Sequence, residues 1–146
     1  MLRKQLLGVI GLLLLLPLAY AGKSPVFATS DGAIRGHDPV AYFTEGKPTR
    51  GSDQHTFEWQ GEKFKFASAK NLALFKANPE NYAPQYGGYC AYAVSEGYTA
   101  STVPEAWTIV DGKLYLNYSL GIRKRWQRDI RGRITAADKH WPGVLN

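Results

Sequence analysis

The chain has 146 residues, of which 18 are Lys or Arg and 12 are Asp or Glu, for a net charge of +6 with neutral histidines. A single cysteine, Cys90, excludes an internal disulfide and a Cys-x-x-Cys redox pair. With only three histidines beside it, and none closely spaced with it, it also excludes a closed four-ligand zinc site.

The chain opens with "MLRKQLLGVIGLLLLLPLAYAGKSP". Arg3 and Lys4 form a positive start, Leu6 to Leu18 an apolar run, and Ala19-Tyr20-Ala21 a small-residue cleavage site, the layout of a secretory signal over residues 1–21. The apolar run falls short of the ~20 residues a membrane span needs, so an uncleaved anchor is the weaker reading. Residues 22–146 then form one domain's worth of chain, expected in the periplasm or outside the cell, with no stable membrane span after cleavage. Two of the 18 basic residues leave with the leader and none of the 12 acidic ones does, so the remainder carries +4. Export makes nucleic acid an improbable partner.

The first element of the domain is "GHDPVAYFTEGKP", in which Asp38 can cap a short helix with Pro39 at its first position and Gly46 and Pro48 beyond its end. "HTFEWQGEKFKFAS" alternates: Phe57 and Trp59 are two apart, as are Phe64 and Phe66, and Gln60-Gly61 supplies the turn of a β-hairpin with one aromatic face. Ser68 caps an amphipathic helix carrying Leu72 and Phe75, which Asn78-Pro79 ends. "AWTIV" and "KLYLNY" flank Asp111-Gly112, a type I′ turn signal, and predict a second hairpin. Ser119 caps a final helix with Ile122, Trp126 and Ile130 at four-residue spacing, broken at Gly132. Arg123, Lys124, Arg125, Arg128, Arg131, Arg133 and Lys139 face only Asp129 and Asp138 in this region. Such a run reads as a solvated helix face or as a contact for anionic lipid or an acidic partner, another exported protein among them. Two hairpins with intervening short helices make a small α+β domain.

The chemistry-bearing stretch is "PQYGGYCAYAVSEG", residues 84–97, where Tyr86, Tyr89 and Tyr92 surround Cys90. A short helix from Tyr89 through Ser95 would put Cys90 in its first turn, where free N–H groups favour a thiolate. An extended segment would instead place Cys90 and Tyr92 on one face with Val94. A buried cysteine filling a small gap is the competing role. Copper, or another soft metal ion, suits a thiolate joined by one or two imidazoles, which makes Cys90, His37 and His55 the candidate ligands and Asp38 their neighbour. The other use of Cys90 is catalytic: a thiol cycling through sulfenic acid or a mixed disulfide with a small external thiol, since no resolving cysteine exists. His140 looks least like a site residue. No nucleophile elbow, Walker loop or dinucleotide-binding glycine loop is present.

"GHDPVAYFTEGKPTRG", "FKFASAKNLALFKANPENYAPQYGGYCAYAVSEGYTA" and "PEAWTIVDGKLYLNYS…RW" resemble the exported bacterial YHS domain-containing (seleno)proteins. The resemblance implies a treble-clef-like YHS core followed by a C-terminal helix. It also implies kinship with metal modules of copper-transporting ATPases, whose metal-binding cysteines follow the Asp-Pro-Val and Phe-x-Ser elements. Here Ala41 follows Asp38-Pro39-Val40, and Ala67 stands within Phe66-Ala67-Ser68, so those ligands do not carry over. What carries over is Cys90, in a segment where some relatives hold selenocysteine. Selenium there implies that the chalcogen reacts or binds a ligand, because packing has no use for it.

Overall fold

Turn chemistry decides where this chain reverses. The computed structural model describes residues 22–146, so the predicted leader lies outside the described residues. A miniature hairpin comes first, β1 (Ala28–Thr29) with β2 (Gly32–Ala33), which the sequence reading did not anticipate because each strand has only two residues. The one-turn helix α1 (Ala41–Thr44) follows, and Gly46 at φ 68° returns its N–H to the Ala41 carbonyl at its end.

The first predicted hairpin is β3 (Ser52–Trp59) with β4 (Glu62–Phe66). Gln60 and Gly61 both adopt positive φ, 50° and 84°, as a type I′ turn requires. Phe57 pairs with Phe64, and the register shifts between Ser52 and Thr56, which places His55 in an irregular stretch. The strand starts at Ser52, three residues ahead of the position expected from His55. Helix α2 (Ala69–Ala77) is capped by the Ser68 hydroxyl, which accepts from Asn71 N at 3.1 Å, and ends before Pro79. It drops Phe75 onto the aromatic face of the hairpin, where Phe64, Phe66 and Phe75 are fully buried.

Between α2 and the second hairpin the chain passes through Tyr86, Gly87 and Gly88, three successive residues with positive φ. Gly87 is required by proximity as well as by its angle. A Cβ there would come within 1.8 Å of the Pro25 carbonyl oxygen, since the segment leading into β1 crosses directly over it. Helix α3 (Ala91–Ser95) starts immediately afterwards. The second hairpin, β5 (Trp107–Val110) with β6 (Lys113–Leu116), turns on Asp111 and Gly112 at φ 50° and 75°, as predicted.

The C-terminal region departs from the single helix expected. Ser119 does cap α4 (Leu120–Gln127), its Oγ accepting from Ile122 N at 3.1 Å. The break, however, falls at Arg128–Asp129, and a second helix α5 (Ile130–His140) runs on through Gly132. Asp129 caps α5 by accepting from Gly132 N at 3.1 Å, and a Cβ on Gly132 would lie 2.1 Å from the same carboxylate. Gly132 is therefore clearance for a cap, not a helix breaker. Trp126 of α4 is fully buried against Tyr115 of β6, and Ala91, Val94 and Ala137 close the same cluster. The result is a small α+β domain, and among the described residues no helix is long and apolar enough to cross a membrane.

Candidate functional site around Cys90

Cys90 is the residue just before α3, its N-cap, and not a first-turn residue as expected. Its sulfur accepts N–H groups from Ala93 at 3.5 Å and from Tyr118 at 3.3 Å. The thiol in turn donates to Asn117 Oδ1 at 3.5 Å, and the same oxygen accepts from Tyr92 N at 3.0 Å. These bonds join the start of α3 to the corner between β6 and α4. Cys90 is 1% exposed and Asn117 fully buried. Among the described residues the Asn117 Nδ2 has no partner, an uncommon state for a buried donor.

The thiolate expectation changes accordingly. Burial pushes the Cys90 thiol up, and this outweighs the N–H groups of Ala93, Tyr118 and Tyr92, which act in the opposite direction. Tyr42 and Tyr86 are also pushed up, each chiefly by burial, and Tyr86 further by its bond to Asp138. All three groups hold their protons more tightly folded than unfolded. Their contribution to stability is full below the ordinary thiol value of about 8.5 and is lost as pH rises through the ordinary thiol and phenol range towards the folded values. Urea melts at rising pH should show the midpoint fall above about pH 9, with Cys90 alkylating far more slowly at pH 8 than in the unfolded chain. A flat midpoint, or labelling at the unfolded rate, would contradict this.

The three tyrosines flanking Cys90 have separate tasks. Tyr86 packs on Tyr115 and Trp141 and donates its hydroxyl to Asp138 Oδ1 at 3.0 Å. Tyr89 donates to the Ser24 carbonyl at 2.8 Å, pinning the segment that precedes β1. Tyr92 lies under the Arg133 guanidinium, 4.2 Å from ring centroid to Cζ. None of the three hydroxyls is a hydrogen-bond partner of the sulfur.

The histidines sit on other elements. His37 is half-buried, with Nδ1 3.1 Å from the Arg35 carbonyl, and forms an isolated antiparallel bridge with Arg50. His55 is half-buried on β3 and His140 exposed at the end of α5. Among the described residues, no group of three or more His, Cys, Asp and Glu side chains is gathered as a metal site would need.

Asp38 proves to be a structural junction. It is fully buried, with Oδ1 accepting from Val40 N (2.8 Å) and Ala41 N (3.2 Å) and Oδ2 from Ala67 N and Asn71 Nδ2 (both 2.8 Å). Its carboxylate thus ties the Asp-Pro-Val turn to the Phe66-Ala67-Ser68 corner. This chain joins the two elements by hydrogen bonds around one carboxylate.

The YHS domain family model matches residues 40–86, so the chain contains a YHS-domain segment running from α1 to Tyr86. No curated protein and no solved structure is matched by the chain. The matched segment stops four residues short of Cys90 and contains neither Asn117 nor Tyr118. Sequence reading missed Asn117, whose only signal was a polar residue closing the alternation of "KLYLNY".

Proposed function

We propose that this protein is an exported YHS-domain module that carries a soft metal ion, Cu(I) by preference, on the sulfur of Cys90. YHS domains are generally metal-associated. The multi-cysteine site of the related modules does not fit this chain, because Ala41 and Ala67 stand at its positions and Asp38 already stitches them together. The reading rests on one observation: the only thiol in the chain sits in a polar seat, facing two backbone N–H groups and the Asn117 amide. A cysteine kept for packing alone needs no such seat. Burial penalises a bare thiolate, whereas a Cu(I)–thiolate pair is neutral and escapes most of that penalty. The same burial ranks metal binding above thiol redox chemistry, which needs an accessible, readily ionised sulfur. His37 or His55, or a donor from outside the chain, would complete the low coordination that Cu(I) accepts. The treble-clef-like arrangement implied by the resemblance belongs to this same reading.

Competition against a chromogenic Cu(I) chelator tests it. The protein should withdraw about one equivalent of Cu(I), Cys90→Ser should withdraw essentially none, and His37→Asn or His55→Asn should weaken binding about tenfold if that imidazole ligates. Equal and negligible uptake by protein and Cys90→Ser would sink the proposal. Oxidation of Cys90 by added hydrogen peroxide to a sulfenic acid, with water as the other product, trapped by dimedone and seen without copper uptake, would favour the redox reading instead.

A further inference from the structure

The densest group of positive charge borders a cavity remote in chemistry from the thiol. Helices α3, α4 and α5 meet around an open hollow of about 320 Å³ lined by Tyr92, Arg125, Arg128, Asp129, Gly132 and Arg133. Three guanidinium groups thus share one concave surface with one carboxylate.

The partners of these groups are unequal. Arg133 is held in place: it stacks on Tyr92, donates to Ser95 Oγ at 3.2 Å and pairs with Glu96. Asp129 is occupied at one oxygen by the Gly132 N–H. Arg125 and Arg128 are exposed, lie three apart at the end of α4, and form no salt bridge among the described residues. Residues three apart on a helix project from one face, so two unpaired guanidiniums lean over the same hollow.

We infer that this hollow receives carboxylate side chains from an acidic segment of a partner protein. Arginine forks match carboxylates bidentately, and a concave mouth flanked by two unpaired guanidiniums focuses attraction on a group of that size. An anionic membrane is the poorer fit. Lipid insertion needs a broad outward apolar helix face, yet Trp126 is fully buried, Ile130 and Ile134 pack half-buried against the core and Ile122 is half-buried, which leaves Leu120 as the one exposed large apolar side chain on α4 and α5. The hollow does not involve Cys90, so this inference stands apart from the copper reading.

Fluorescence anisotropy with labelled hexaglutamate, and hexaglutamine as its neutral counterpart, provides the test. The protein should bind hexaglutamate alone, and 0.5 M salt should weaken that binding. Arg125→Glu with Arg128→Glu should reduce affinity about tenfold or more. Lys124→Glu with Arg131→Glu, the same change of charge on exposed positions outside the hollow, should reduce it about twofold or less. Circular dichroism checks that both double variants fold, and Arg125→Ala with Arg128→Ala gives a milder version of the same comparison. Equal losses in the two double variants would overturn the inference, as would absent hexaglutamate binding. Preferential capture by phosphatidylglycerol vesicles, or displacement of the peptide by millimolar inorganic phosphate, would also reject it in favour of a lipid or phosphate site.

Discussion

Replacing Asp38 by alanine should cost this domain roughly 3–5 kcal/mol, the largest loss expected from any polar substitution in it. The residue is fully buried and its two oxygens satisfy four donors, on Val40, Ala41, Ala67 and Asn71. Alanine would leave the buried donors of Val40, Ala41 and Asn71 without acceptors, and the part-buried Ala67 N–H would have to turn to water. Each stranded donor carries its desolvation cost, and the two elements it joined would lose their common tie. Asp38→Asn is informative because an amide has a single acceptor oxygen. It can serve one pair of donors while turning its own NH2 against the other, so about half of the loss should persist. Urea denaturation of the wild type and both variants gives the ranking directly. An Asp38→Ala protein within about 1 kcal/mol of wild type would show that the junction contributes little.

Phe75→Ala should be comparably damaging for an apolar reason, at about 3–5 kcal/mol. Phe75 is fully buried, with ring centroids 5.0 Å from Phe64, 5.1 Å from Phe66, 5.8 Å from Trp59 and 6.2 Å from Phe57. It is the fully buried apolar side chain through which α2 closes the first hairpin, with Leu72 and Leu74 partly buried beside it, and a two-stranded ribbon alone is marginal in water. Truncation removes its burial and leaves a cavity that four aromatic rings in fixed positions cannot easily fill. Phe75→Leu retains most of the volume and should cost about 1–2 kcal/mol. If both variants unfolded at the same denaturant concentration, the loss would not depend on the cavity and this explanation would be wrong.

Legibility in the sequence followed the range over which each determinant acts. Gln60-Gly61 and Asp111-Gly112 announced their hairpins because type I′ turns demand positive φ at two adjacent positions, which few residue pairs supply. Ser68 and Ser119 announced their helices because a cap bonds three residues ahead. Gly132 misled for the same local reason. Read alone it is a helix breaker, but beside the Asp129 carboxylate it is the residue that lets the cap close. Asp38 was expected to cap the first helix with Pro39 at its first position, but the N-cap of α1 is Val40, and Asp38 bonds the Val40 and Ala41 N–H groups at its start. Its role as a junction was not legible, since Ala67 and Asn71 lie 29 and 33 positions away.

The surroundings of Cys90 were the least legible. Its position beside a short helix followed from Gly87-Gly88 and the residues after it, yet its burial depends on Asn117 and Tyr118, 27 and 28 positions downstream. The sequence placed free N–H groups near the sulfur correctly in kind. It could not weigh them against desolvation, which raises the thiol overall. The arginine hollow shows the same limit: the basic run was visible, but only packing of α3 against α5 brings Tyr92 beneath Arg133 and separates the paired arginine from the two unpaired ones.

Copper K-edge X-ray absorption of the Cu(I)-loaded protein tests the central claim most directly, because it reports the atoms bound to the metal. The account predicts one sulfur scatterer per copper, supplied by Cys90 and absent from Cys90→Ser treated in the same way. A shell of nitrogen and oxygen alone, or identical spectra from the two proteins, would contradict it and leave the Cys90 sulfur as a hydrogen-bonded link between α3 and the β6–α4 corner.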